Sequence, residues 1–333
     1  MTTPTPAPVT TPVTAPTPTP AYPVRATAAP TIVNRVEYGL LRLIATALRP
    51  FGWRTASAVG ATLGGLAWWP FRIRADRVER TIRACFPEFS DARVREVARE
   101  SYRSLGRTSI ESIVLSRSST SDVLAAFADA PHYDVLERAF AQGKGVILVA
   151  GHVGNWELSA AYMTARGLPI DAIAMHMVNP LSDAFFKRTR ERFGTRVIFD
   201  DQAVRAIPRA LKEGRGVGFL SDQSAKGLAS TFVPFFGRPA RTPRGAAVFA
   251  LRNDLPMVFV AALRRPDGRY TAHFEDVPLV RTGDREADVD ATVMRYTQVL
   301  ERLVREHPEQ YFWQHRRWKG QPSDTPPELL MPR

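Results

Sequence analysis

The chain has 333 residues, 44% hydrophobic and 23% charged, which excludes a wholly disordered or fibrous protein and supplies enough apolar material for a large core. The single cysteine, Cys85, excludes an internal disulfide and a cysteine-based zinc site, and it fits a reducing compartment better than secretion. Net charge is +12 on 45 basic residues, of which only five are lysine, so the positive charge is almost all guanidinium and the expected partners are anions: membrane lipid, nucleic acid, a phosphate-bearing substrate or an acidic protein.

The first 30 residues hold nine Pro, nine Thr and one charged side chain, Arg25. They have too little apolar surface to offset ordering entropy and are expected to form a disordered tail; they also lack the basic start and apolar run of a signal peptide. Residues 31–75 contain two apolar stretches, IVNRVEYGLLRLIATALRP and TASAVGATLGGLAWWPF, with Arg42, Arg49, Arg54, Arg72 and Arg74 within and around them. The uncharged run Thr55 to Phe71 is 17 residues long and carries Gly60, Gly64, Gly65 and Pro70, at the lower limit for a spanning helix. Basic residues between apolar ones, with Trp53, Trp68 and Trp69 at the margins, read better as a hairpin lying in the lipid headgroup region, the alternative being an ordinary buried helical pair.

Residues 72–117 have helical periodicity after a Ser90 cap. From about residue 132 short apolar strands alternate with amphipathic helices: strands GVILVA, PIDAIAM, RVIF and GVGFL, then helix RGAAVFALRND, strands PMVFVAAL and RYTAHFEDV, helix DVDATVMRYTQVLERLVREH and a tail over 321–333. This pattern predicts an α/β fold with a mainly parallel mixed sheet covered by helices. No internal repeat and no Gly-rich nucleotide fingerprint is present.

GVILVAGHVGNWE puts His152 just beyond the carboxyl end of a strand and Glu157 in the first turn of the next helix, the edge where open α/β sheets bind ligands. Four residues between them, across a strand-to-helix turn, would let the Glu157 carboxylate fold back on the imidazole and orient a general base; a satisfied histidine in a capping turn is the bland alternative. There is no GxSxG elbow and the lone cysteine lies elsewhere, so a substrate hydroxyl would itself be the nucleophile. SDQSAKG puts Asp222 and Gln223 on the same edge, to position substrate, orient a base or merely cap a loop. QYFWQHRRWK interleaves His315, Arg316, Arg317 and Lys319 with aromatics, which fits a phosphate or headgroup site or a solvated basic tail; no nucleic-acid-binding signature accompanies it.

GHVGNWE, SDQ followed by FVPFFGRPARTPRG, and PEQYFWQHRRWK, in that order, resemble the late lipid A acyltransferases, the lauroyl and myristoyl transferases of the lysophospholipid acyltransferase superfamily. The likeness runs from about residue 36 to 320. It implies a glycerolipid acyltransferase-like fold over residues 76–320, a His152–Glu157 catalytic dyad with Asn155 shaping the turn, and no cofactor or metal beyond acyl carrier protein thioester or acyl-CoA as co-substrate. It implies acylation of a lipid hydroxyl at the cytoplasmic face of the inner membrane, by a peripheral or singly anchored enzyme on an anionic surface. Asp222, Gln223, Arg244, His315, Arg316, Arg317 and, on the helix after the second core strand, Arg188, Arg190 and Arg192 are its expected substrate contacts. Acceptors other than a lipid A precursor, such as a phosphatidylinositol mannoside, stay open, as does a non-catalytic basic membrane-binding protein. A metal hydrolase using His152, Glu157, Asp222 and another His lacks recognised ligand spacing.

Overall fold

The computed structural model describes residues 29–223 and 228–332, so the expectation of disorder in the Thr/Pro-rich segment concerns a region that lies almost wholly outside the described residues. Four helices come first: α1 (Ile32–Ala47), α2 (Trp53–Trp68), α3 (Ala75–Cys85) and α4 (Asp91–Val114). The Ser90 side chain accepts from Arg93 N and caps α4 as its sequence suggested, but Phe86–Phe89 break the 72–117 segment into two helices. A short helix α5 (Thr120–Ala125), strand β1 (Phe127–Asp129) and helix α6 (Tyr133–Ala141) lead into the alternating part. That part comprises β2 (Val146–Ala150), α7 (Trp156–Ala165), β3 (Ile170–Ala174), α8 (Pro180–Glu191), β4 (Arg196–Phe199), α9 (Ala203–Lys212) and β5 (Gly216–Leu220). The hairpin β6 (Ser230–Phe235) and β7 (Arg238–Pro243) then precedes α10 (Gly245–Asn253), β8 (Met257–Arg264), β9 (Tyr270–Asp276) and α11 (Arg285–Glu306).

The mainly parallel, helix-covered sheet expected from the alternation is present. Seven strands run in the order β1-β9-β8-β2-β5-β3-β4, with β8, β2, β5, β3 and β4 mutually parallel and β9 antiparallel to β8. The central strands are apolar on both faces because helices cover both; Val146 to Val149 are completely buried. From β2 the chain crosses to β3, whereas from β5 it returns toward β8, so the connections diverge between β2 and β5. In a doubly wound sheet that divergence opens a crevice at the carboxyl ends of the two strands.

The β6–β7 hairpin forms a separate two-stranded sheet that periodicity did not reveal. Pro234 pairs with Pro239 and Pro243 ends β7, residues a central strand would not tolerate but a two-stranded ribbon does. Its two-residue turn, Phe236 and Gly237, has positive φ at both positions, which matches the twist of a tight hairpin.

The N-terminal pair is partly the buried pair and partly the surface element that its sequence allowed. On α2, Ala56, Gly60, Ala61 and Gly64 are buried against α4. A β-carbon at Gly60 would lie 2.4 Å from Gly106 O and one at Gly64 2.0 Å from Tyr102 O, so these glycines exist for close helix approach. The α1 helix has no buried residue, and Val33, Val36, Leu40 and Leu43 are each more than half exposed. No helix among the described residues is long and apolar enough to cross a membrane. The C-terminal segment folds back, with Arg238 donating to the carbonyls of Glu328 and Leu330.

Candidate active site

Strands β2 and β5 pair so that each β2 residue faces the β5 residue 70 positions later, from Val146–Gly216 to Ala150–Leu220. Continuing that register past the strand ends brings His152 opposite Asp222. The imidazole Nδ1 lies 2.7 Å from Asp222 Oδ1, and the His152 backbone N–H donates to Oδ2 at 3.0 Å, so one carboxylate fixes both ring and main chain. Burial opposes ionisation of Asp222, but the His152 ring, its two hydrogen bonds and the Arg317 charge outweigh it and hold the carboxyl down at about 2. With Nδ1–H donated to a carboxylate, the neutral ring carries its lone pair on Nε2.

Glu157 is not where the spacing alone suggested. Its carboxylate is gripped by Arg190 of α8 in a two-pronged pair, Nε to Oε2 at 2.9 Å and Nη2 to Oε1 at 2.6 Å. The fold-back onto the imidazole is replaced by this fork because a planar guanidinium matches both carboxylate oxygens at once. Burial pushes the Glu157 carboxyl up, yet the Arg190 charge and hydrogen bonds, with a further contribution from His152, keep it below its ordinary value. Both carboxylates therefore stand ionised, and Glu157 with Arg190 lines an apolar cleft shared with Ala150, Trp156, Ala160, Ile173, Gly218 and Phe219. Trp156 sits edge-on to the His152 ring, with centroids 4.7 Å apart.

The loop bearing His152 is clamped by three hydrogen bonds from two segments. Phe312 N donates to His152 O and Gly154 N to Gln310 O, both at 3.0 Å, while Thr108 Oγ1 donates to Gly154 O. Gly154 has φ +64°, and a β-carbon there would meet Ala262 O at 2.0 Å, so the turn after the histidine requires glycine.

An oriented imidazole at the switch point, two fixed carboxylates and an apolar cleft suit proton abstraction from a hydroxyl that attacks an acyl group carried on an apolar chain. Residues 35–320 match the bacterial lipid A biosynthesis acyltransferase family. The chain belongs to that family. It is 29% identical over 271 residues to the lipid A biosynthesis palmitoleoyltransferase of Escherichia coli (strain K12), spanning 79% of this chain and 85% of that one. It is 27% identical over 271 residues to the lauroyltransferase of the same organism, spanning 80% and 86%. A lipid A biosynthesis acyltransferase of Haemophilus influenzae shares 23% over 278 residues, spanning 83% and 84%.

In this acyltransferase the remaining expected contacts separate sharply. Asn155 is completely buried and caps α7, its Oδ1 accepting from Leu158 N while Nδ2 donates to Glu111 Oε2 at 2.8 Å; it shapes the turn but is sealed from substrate. Arg317 is buried too, donating to Arg241 O and to Thr242 Oγ1, both at 2.6 Å, so it straps the last turn to β7 and is not available as a phosphate ligand. Arg316, one residue earlier, is exposed. Arg188, Arg190 and Arg192 cannot serve one site because residues two apart on a helix point to opposite sides: Arg190 meets Glu157, Arg192 donates to Ser116 O, and Arg188 is exposed. Arg244 stands at the start of α10 and pairs with Glu286 and Asp290 of α11. Gln223 follows Asp222 with its Nε2 buried and unpartnered among the described residues. His315 is half-buried, its Nδ1 has no partner among the described residues, and burial lowers its pKa.

Three contributions were invisible in the sequence. Tyr311 lies beside Asp222, its phenol pushed well above the ordinary value by burial and then by that carboxylate. Glu111, completely buried, accepts from Asn155, Arg264 and Tyr270 and so ties α4, α7, β8 and β9 together beneath the loop. Arg77 of α3 donates to the Gln314 carbonyl at 2.9 Å and holds the His315 turn. Each is a long-range contact with no local pattern.

Proposed function

We propose that the enzyme transfers a fatty acyl group from a thioester, carried by acyl carrier protein or coenzyme A, to a hydroxyl of a lipid A precursor. His152 Nε2 removes the hydroxyl proton, the oxygen attacks the thioester carbonyl, the C–S bond breaks, and the imidazolium returns the proton to the departing thiolate. Asp222 orients the ring and stabilises its protonated form. Glu157, anchored by Arg190, adds a second negative charge near the imidazolium without bonding to it. The apolar cleft beside Glu157 would take the acyl chain.

The observation that supports this reading most is the two-point grip of Asp222 on His152, because a merely structural histidine at a strand end does not need ring and backbone fixed by one ionised carboxylate. Membrane attachment belongs to the same proposal: the exposed apolar side of α1, together with Leu63 and Leu66 of α2 and the following Trp69 and Phe71, supplies a lipid-facing surface flanked by arginines. A cytosolic thioester donor places that surface on the cytoplasmic face of the inner membrane. The test is incubation of the purified chain with acyl-acyl carrier protein or acyl-CoA and lipid A precursor, with mass spectrometry of the product. A mass gain of one acyl chain, absent with His152→Ala, is expected; thioester hydrolysis without acylated lipid would overturn the reading.

A further inference from the structure

The start of α3 and the turn carrying His315 meet through the Arg77–Gln314 hydrogen bond, which brings two arginine-bearing segments together. Arg74 lies one turn before Arg77, and Arg316 lies two residues after Gln314. The acids of α3 are committed elsewhere, since Asp76 and Glu79 both pair with Arg72. Among the described residues neither Arg74 nor Arg316 has an ion pair or a side-chain hydrogen bond, and both are exposed. Arg77 feels the resulting crowding: burial first, then the charges of Arg74, Arg316 and Arg80, depress its guanidinium. Like charges gathered without a counter-charge repel, and a bound anion removes that cost.

The surroundings say what kind of anion. The Phe312 ring lies 5.9 Å from the His152 ring and 6.3 Å from that of His315, and Phe312 N donates to His152 O, so the turn that carries Arg316 adjoins His152. Trp69, Phe71 and Ile73, in the segment entering α3, are exposed apolar groups, so the cluster also borders the surface assigned to lipid. We propose that Arg74, Arg77 and Arg316 form a site for a phosphate ester carried by a lipid, next to His152. Planar guanidinium forks suit phosphate oxygens, and Arg316 with Arg74 and Arg77 takes the place that Arg317, turned inward, leaves empty. The proposal rests on the acyl-transfer reading for its role in catalysis but not for the site itself. The phosphate belongs either to the acceptor lipid or to a bilayer phospholipid.

Two arms on the full chain separate these sources, using Arg74→Gln/Arg316→Gln, which breaks no ion pair or side-chain hydrogen bond among the described residues, and Arg95→Gln/Arg99→Gln on exposed α4 positions as a charge-matched control. The first compares acyl transfer to acceptor lipid before and after phosphatase treatment. The second compares flotation with phosphatidylcholine vesicles with and without phosphatidic acid, a readout independent of turnover. If the acceptor supplies the phosphate, the double variant raises KM for the intact acceptor about tenfold or more, leaves kcat within about twofold, and loses the preference for intact over treated lipid. If the bilayer supplies it, the double variant loses the phosphatidic acid dependence of flotation while KM for detergent-dispersed acceptor stays put. Behaviour equal to the control in both arms overturns the site. Absence of transfer by the wild type, with the flotation difference intact, overturns the catalytic reading and leaves the site standing.

Discussion

The carboxyl edge of the sheet and the N-terminal helical pair are built on opposite principles. At the edge the groups around His152 are committed: Asp222 to His152, Glu157 to Arg190, Asn155 to Glu111 and Leu158, so the position of the His152 ring is over-determined. On α1 no residue is buried, and Val33, Val36, Leu40 and Leu43 face outward while Tyr38, Leu41 and Ile44 pack partly against the body of the protein. Rigidity serves chemistry that requires an atom placed within a fraction of an ångström, whereas the lipid contact proposed for α1 needs area and little else. Substitutions at the edge should therefore change rate with binding intact, and those on α1 the reverse.

The largest effect is expected at His152, the proposed base. General-base assistance is worth ~10² to 10⁴-fold, so His152→Ala should lose about that factor in kcat with KM little changed. Asp222→Asn should follow at about 10²-fold, since the ring loses the partner of Nδ1 and the stabilisation of its protonated form, and the double variant should be little worse than His152→Ala alone. Glu157→Gln should be milder, about tenfold, because its hydrogen bonds run to Arg190 and its influence on the ring is through charge. A Glu157→Gln loss exceeding that of Asp222→Asn would return the orienting role to Glu157. Asp222 also sets a pH signature. Its carboxyl is held at about 2 in the fold and near 4 when unfolded, so the stability it contributes is complete above about pH 4 and is lost as pH falls toward 2. Thermal unfolding followed across that window should be flatter in Asp222→Asn.

Why one carboxylate could be misassigned follows from what a sequence encodes locally. His152 and Asp222 were each legible as residues just past a strand end, because apolar runs bounded by turn residues mark strand ends. Which of two acids meets the ring depends on β5 lying beside β2, and on their register, neither of which is a local property. The alternation of strands and helices was legible for the same local reason, and β6–β7 was not, since Pro234, Pro239 and Pro243 mask a ribbon that exists only by pairing with itself. Arg316 and Arg317 looked equivalent, yet adjacent residues in an irregular turn can face opposite ways.

That last pair gives the next prediction. Arg317→Ala leaves the Arg241 carbonyl and Thr242 hydroxyl without a donor in a buried place and should destabilise the fold by about 2–4 kcal/mol, whereas Arg316→Ala should stay within about 0.5 kcal/mol. Chemical denaturation monitored by tryptophan fluorescence separates the two. Equal, small losses would mean that Arg317 is not the strap its hydrogen bonds describe.

The smallest effect is expected on α1. Leu40 is 58% exposed and touches no core cluster, so Leu40→Ser should leave chemical stability within about 0.5 kcal/mol. In lipid the same side chain contributes about 0.8 kcal/mol for each methylene it buries, so losing a half-inserted leucine should cost roughly 1–2 kcal/mol, or about tenfold in partition to anionic vesicles. The catalytic edge is untouched, and kcat at saturating vesicle concentration should match the wild type. Vesicle flotation and saturating turnover, measured on the same preparation, decide the matter: a fall in kcat with partition unchanged would mean that α1 shapes the active site and that the exposed apolar side has some other occupant than lipid.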